Sequence, residues 1–191
     1  MSHAIVLDKD GTLIEDLPYN VDPRRIRLAP GAREAIRIWA AEGWPVAVAT
    51  NQSGVARGYF TLDDLDAVGR HLEEVVTELG ATWGGFYACP HLPEPEGINE
   101  YAVDCDCRKP APGMIRDALG ALGVDPGDAW FIGDTWMDMA AGRAAGCRTI
   151  LVGPEWRRGA TYPPDATPDH ALPDLAAAAR ITVRERAEAA S

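Results

Sequence analysis

Short apolar runs at 4–7, 46–49, 85–88, 129–132 and 149–152 recur along the chain, each bounded by polar or glycine residues. Such runs read as strands buried on both faces, as in a parallel sheet. The segments between them have a different period. Ala32, Ala35, Ile36, Trp39 and Ala40 share one helical face, closed by Gly43. Leu62, Leu65, Val68, Leu72 and Val76 share another, behind a Thr61 cap with an acid three residues on. Further helices are expected at 113–122, at 137–145, and from 172 to about 186, the last fraying into an alanine-rich tail. Strands alternating with helices imply right-handed crossovers. The expected fold is α/β: a Rossmann-like, doubly wound parallel sheet forming a single domain over 1–191.

Three stretches follow neither period. Residues 15–30 carry Pro18, Pro23 and Pro30, which disfavour a long helix, so a short flap after the first strand is expected. Residues 153–168 read as a loop. Residues 89–107 are rich in Pro, Glu and Cys, and a loop of about twenty residues inside a compact domain needs a function or a staple. None of these is long enough for a large cap domain.

Charge and composition narrow the partners. A formal net charge of −11 argues against general nucleic-acid binding, although a local cluster of Lys and Arg can still receive a small anion. No apolar run approaches the ~18 residues of a membrane span, and no secretory signal precedes the first strand. A cytoplasmic monomer acting on a small molecule is therefore expected, with no nucleic-acid or membrane partner.

The polar residues that follow the apolar runs carry the chemistry. Asp8-Lys9-Asp10-Gly11-Thr12 follows the first run, Thr50-Asn51 the second, Cys89 the third and Gly133-Asp134 the fourth. In a parallel sheet these ends lie on one edge, where ligands bind. Taken singly, each is as well read as a turn, a helix cap or a solvated lysine. Together they supply the parts of an aspartyl-phosphate mechanism. Asp8 would attack phosphorus and Asp10 would carry the proton. Thr50, Asn51 and Lys109, with Arg108 beside it, would cradle the phosphoryl oxygens. Asp134, with Asp138 near it, would join Asp8 in holding Mg²⁺, which prefers hard oxygen ligands.

Cys89, His91, Cys105 and Cys107 flank the aperiodic loop. Three thiolates and an imidazole make a closed tetrahedral Zn²⁺ set, structural because it keeps no open position. Free thiols, or a disulfide from Cys89 to Cys105 or Cys107, are the alternatives, the latter disfavoured in a reducing compartment. Cys147 stands apart and reads as a small buried residue. The loop leads directly into Arg108 and Lys109, so the metal is expected to fix those two cations.

These motifs resemble the haloacid-dehalogenase-type phosphatases, whose D-x-D-G-T, Thr/Ser, Lys and G-D-x-x-x-D motifs match Asp8 to Thr12, Thr50, Lys109, and Gly133-Asp134 through Asp138. The resemblance spans 5–152 and implies Mg²⁺ held by Asp8, the Asp10 carbonyl and Asp134. The zinc loop running into Cys-Arg-Lys-Pro, and the stretch Thr50-Asn51-Gln52-Ser53-Gly54-Val55-Ala56-Arg57-Gly58, are similar to the branch that removes the 7-phosphate of D-glycero-D-manno-heptose 1,7-bisphosphate. For that branch the resemblance implies substrate contacts from Asn51, Gln52, Ser53, Arg57, Arg108 and Lys109, with Asp16 and Tyr19 of the flap as further candidates. Histidinol-phosphate phosphatases, and a zinc-stapled phosphate-binding protein without turnover, are the competing readings. One departure stands out: Thr135 occupies the place of a lysine usual in the heptose branch.

Overall fold

The computed structural model describes residues 3–154 and 161–189. Six strands form one sheet: β1 (Ala4–Leu7), β2 (Val46–Asn51), β3 (Trp83–Cys89), β4 (Ala129–Gly133), β5 (Arg148–Val152) and β6 (His170–Leu172). Their order is β3-β2-β1-β4-β5-β6 and every pairing is parallel. The chain builds outward from β1 to β3, then crosses back to lay β4 beside β1. That reversal opens a crevice between β1 and β4 at their carboxyl ends.

Among the described residues five helices cover the sheet: α1 (Ala32–Ala41), α2 (Leu62–Glu78), α3 (Gly113–Leu122), α4 (Trp136–Ala145) and α5 (Leu175–Ala189). Strand side chains alternate between two cores, as the period of two requires. Ile5, Leu7, Val46, Val48, Ile132 and Ile150 pack with Ile36, Trp39, Leu72, Val76 and Ala179 of α1, α2 and α5. Ala4, Val6, Ala47, Ala49 and Phe131 pack with Ile115, Leu119 and Ala141 of α3 and α4. The sheet is thus buried on both sides, which accounts for runs that are apolar throughout rather than alternating. Burying each large aliphatic side chain contributes roughly 1.5–3 kcal/mol. Trp39 donates from Nε1 to Thr182 Oγ1 at 3.0 Å, pinning α5 onto α1.

Several expectations need correction. The sheet has six strands, not five. Leu172 ends β6 instead of opening the last helix, which starts at Leu175 and runs on to Ala189 with no fraying after 186. Residues 190–191 of the expected tail, and 155–160 of the loop expected at 153–168, lie outside the described residues. Strand β2 is two residues longer than its apolar run, so Thr50 and Asn51 are strand residues. The flap at 15–30 is an irregular excursion. Its base is closed by an antiparallel bridge between Ile14 and Leu28, and it carries a 3-10 turn at Pro23–Arg25. No helix among the described residues is long and apolar enough to cross a membrane.

Candidate active site

The site is built where β1 and β4 end side by side. The Asp8 amide donates to the Ile132 carbonyl at 2.9 Å, and the chain then turns sharply, with Leu13 and Ile14 amides donating back to Lys9. Gly11 makes the turn with φ +74°, and a Cβ there would collide with the Asp134 carboxylate. A Cβ on Gly133 would run into the Asp138 side chain. The two motif glycines therefore clear the space into which two carboxylates fold. Asp8, Asp134 and Asp138 are all buried, and one oxygen of each lies within 4.8 Å of the others.

A single buried ammonium enters this cluster. Lys109 Nζ lies 2.5 Å from Asp8 Oδ1 and 2.6 Å from Asp138 Oδ1. Burial opposes the Lys109 charge, yet Asp138 and Asp8 outweigh it and hold its pKa above the usual lysine value. Burial dominates at Asp8 and pushes its carboxyl up to about 8, with Lys109 opposing and Asp138 and Asp134 adding to the rise. Three carboxylates and one ammonium carry a formal charge of minus two when ionised. A compact cluster of hard oxygens with that deficit suits a divalent cation.

The remaining polar groups have defined partners. Asp138 gives its other oxygen to the amide and hydroxyl of Thr135, at 3.0 and 2.5 Å, closing a capping box at the start of α4. Its two oxygens thus link Lys109 to the helix N-terminus, and its place is that of a positioning group. Asp10 borders the same hollow as Asp8 but is held by other partners. Its carboxylate meets Lys9 Nζ at 2.9 Å and Gln52 Nε2 at 3.1 Å. Gln52 also donates to Thr50 Oγ1 at 2.9 Å, so the buried Thr50 hydroxyl sits against the same network.

Two hollows adjoin along this edge. One is lined by Asp8, Asp10, Asp16, Thr50, Lys109 and Asp134. The other shares Asp10, Asp16 and Asn51 with it and adds Lys9, Tyr19, Gln52 and Ser53. Tyr19 of the flap adopts φ 54° and meets Tyr59 edge-on, with ring centroids 4.8 Å apart. Asp16, Tyr19, Asn51, Gln52 and Ser53 therefore border the space next to Asp8. Arg57 and Arg108 line neither hollow: Arg57 approaches Glu96 at 3.6 Å, and Arg108 donates to the His91 carbonyl at 3.2 Å.

The second cluster lies beside the first. Cys107 Sγ is 3.1 Å from Cys89 Sγ, 3.2 Å from Cys105 Sγ and 3.2 Å from His91 Nδ1. Cys89 Sγ is 3.6 Å from Cys105 Sγ and 3.7 Å from His91 Nδ1. Sulfurs bound at about 2.3 Å around a tetrahedral Zn²⁺ stand roughly 3.7 Å apart, so the four atoms approximate a slightly contracted coordination shell. The cysteines are unbridged. The loop is then tied to the catalytic edge by one side chain. Asn51 donates from Nδ2 to the Lys109 carbonyl and accepts from the Lys109 amide, both at 3.0 Å.

A family model described as HAD-hydrolase-like matches residues 106–178. D-glycero-beta-D-manno-heptose-1,7-bisphosphate 7-phosphatase of Pasteurella multocida is 40% identical over 153 residues, covering 80% of this chain and 82% of the relative. The chain belongs to the HAD-like hydrolase family. The same-named enzyme of Pseudomonas aeruginosa is 42% identical over 149 residues, covering 78% and 79% of the two chains. The crystal structure of a B. bronchiseptica D,D-heptose 1,7-bisphosphate phosphatase, complexed with magnesium and phosphate, superposes with a TM-score of 0.79 at 32% identity, covering 97% of this chain and 99% of that one.

Against the HAD-like motifs, sequence reasoning located Asp8, Asp10, Thr50, Lys109 and Asp134, and the structure brings all five to one edge. It missed Lys9, which is buried and paired with Asp10. A lysine between two aspartates carries no signal of burial. It also missed that Asn51 and Gln52 bond to Lys109 and to Asp10. The signal that could have found them is their position: two amide residues at the end of a strand buried on both faces.

Proposed function

We propose that this chain is a single phosphatase domain that hydrolyses the 7-phosphate of D-glycero-β-D-manno-heptose 1,7-bisphosphate. The product, heptose 1-phosphate, retains the anomeric phosphate that nucleotide activation for glycan synthesis requires. The observation that carries this reading is the buried Asp8–Asp134–Asp138 cluster facing Lys109 in a chain so similar to enzymes of that name. The protein acts in the cytoplasm as a monomer.

In this reading a carboxylate oxygen of Asp8 attacks phosphorus. The bond to the sugar oxygen breaks, its electron pair passes to that oxygen, and Asp10 delivers the proton. Water then bonds to the phosphorus of aspartyl phosphate, Asp10 takes the water proton, and the Asp8–phosphorus bond breaks to release phosphate. Thr50 Oγ1 and Lys109 hold the equatorial oxygens, and Asn51 keeps Lys109 in place through its backbone. Asp8, Asp134 and the Asp10 carbonyl would hold Mg²⁺, which supplies charge neutralisation to the phosphoryl group. Cys89, His91, Cys105 and Cys107 would hold Zn²⁺, whose part is to order the loop that carries Arg108 and Lys109. Asp16, Tyr19, Asn51, Gln52 and Ser53 border the sugar. Arg57 and Arg108 must shift from Glu96 and His91 to reach the distal phosphate. Thr135 adds no charge there, because its hydroxyl is committed to Asp138.

The test is phosphate release in Mg²⁺ from heptose 1,7-bisphosphate and from histidinol phosphate, with Asp8→Asn as control. Preference for the heptose substrate, lost in the variant, is the expected result. Preference for histidinol phosphate overturns the substrate. No Asp8-dependent release from either leaves a phosphate-binding protein.

A further inference from the structure

Asp10 is gripped on both oxygens, by Lys9, to which no motif gives a role, and by Gln52, which the resemblance gives only to the substrate. Lys9 Nζ lies 2.9 Å from Oδ1, and Gln52 Nε2 lies 3.1 Å from Oδ2. The grip comes from two strands: Lys9 follows β1, while Gln52 follows β2 and also donates to Thr50 Oγ1 at 2.9 Å. Lys9 is only 2% exposed and Gln52 only 6%, whereas the Asp10 side chain is 32% exposed and borders both hollows. Taking an ammonium out of water costs several kcal/mol unless a carboxylate answers it. An apolar side chain of similar length would fill the Lys9 space without that cost. Asp10 is the carboxylate that answers the Lys9 charge.

We infer that Lys9 and Gln52 are positioning residues for Asp10, fixing its rotamer so that it faces the oxygen leaving Asp8-bound phosphorus. This rests on the reading of Asp8 as nucleophile and Asp10 as proton carrier. An aspartate with neither donor rotates freely, and a misplacement of about 1 Å in a reacting group costs on the order of 10²-fold in rate. Both proton transfers suffer: Asp10 to the departing sugar oxygen, and water to Asp10 as the Asp8–phosphorus bond breaks. The two steps separate by leaving group. A sugar alkoxide needs the proton to depart, whereas p-nitrophenolate departs without it. With p-nitrophenyl phosphate, a loosened Asp10 slows only the second step, and phosphorylated Asp8 accumulates.

The experiment is quenched-flow kinetics of the full metal-loaded chain and of Lys9→Met, Gln52→Leu and Lys9→Arg, with Asp8→Asn as control. Heptose 1,7-bisphosphate and p-nitrophenyl phosphate are the substrates. Lys9→Met and Gln52→Leu are expected to lower kcat on the sugar about 100-fold, with KM held within about threefold. On p-nitrophenyl phosphate they release about one equivalent of nitrophenolate in a burst before a slow phase, and Lys9→Arg recovers most of the loss. A rise in KM at constant kcat makes the two residues substrate contacts and overturns the inference. So does an equal fall on both substrates with no burst, which marks a merely structural role. Should Lys9→Met fail to fold, Gln52→Leu carries the same readouts. If the unmodified chain shows no Asp8-dependent turnover, the underlying reading falls first and the inference with it.

Discussion

The two ligand clusters sit side by side but are held in different ways. Asp8 and Asp134 follow strands β1 and β4, and their backbones are set by a sheet buried on both faces. Cys105 and Cys107 sit on a loop, and their side chains are less buried than the carboxylates. The sheet positions the hard oxygen cluster before any ion arrives, at the expense of crowding three carboxylates around one ammonium. The loop and the end of β3 bring three thiols and one imidazole together. Lys109 belongs to both: its backbone follows the thiolates, and its ammonium completes the carboxylate cluster.

The largest test of that shared residue is Lys109→Met. Removing a preorganised cation from the phosphoryl cradle should lower kcat on heptose bisphosphate by about 10³-fold. Stranding Asp8 and Asp138 should also destabilise the Mg²⁺-free protein by about 3 kcal/mol in denaturant titrations. Unchanged kcat would place Lys109 with the loop alone. A smaller effect separates the clusters from the other side. Stripping the thiolate site, or replacing Cys107 by Ser, should lower kcat about tenfold, and Asn51→Ala should reproduce that loss with the loop intact. Full activity after zinc removal would show that the loop does not position Lys109.

Acidity sharpens the contrast further. Asp8 is raised from 3.8 to about 8 in the folded, Mg²⁺-free chain, so the folded state binds its proton more tightly than the unfolded chain. The stability this confers is complete below about pH 4 and declines as pH climbs toward about 8, the slope following the excess of bound protons. Magnesium must displace that proton. The rise in Tm on adding Mg²⁺ should therefore be larger near about pH 9 than near about pH 6, and should lose this dependence in Asp8→Asn.

The smallest effect compares two helix caps. Thr61 and Thr135 both close capping boxes, with Asp64 and Asp138. Replacing either by Ala should cost about 1 kcal/mol in unfolding free energy. Only Thr135→Ala should also lower kcat, because only Asp138 reaches a catalytic lysine.

The fold was legible because β1, β2, β4 and β5 are each built on a short apolar run and are separated by helical periods. Strand β6 was not: His170–Leu172 is three residues long, half-buried, and too short for any period to register. The catalytic carboxylates were legible for a related reason, since each follows a buried strand. What the pattern of residues does not carry is side-chain direction. Asp138 stands four residues beyond Asp134 and reads as a helper to it at the metal, yet Asp138 turns its two oxygens to Lys109 and Thr135. Arg57 and Arg108 read as substrate cations, yet the loop turns them toward Glu96 and His91. Lys9 was opaque because its burial arises from the flap and from β2, both distant in the chain.

The measurement that bears most directly on the account is the chemical fate of Asp8. Asp10→Asn should be mixed with p-nitrophenyl phosphate, whose leaving group departs without a proton, and Mg²⁺, quenched in acid within one turnover, and digested for peptide mass analysis. A phosphoryl group on Asp8, on the first tight turn after β1, is the predicted result, absent when Asp8→Asn is added to the same chain. Turnover of the unmodified enzyme with no phosphoryl group on Asp8 at any quench time would contradict it.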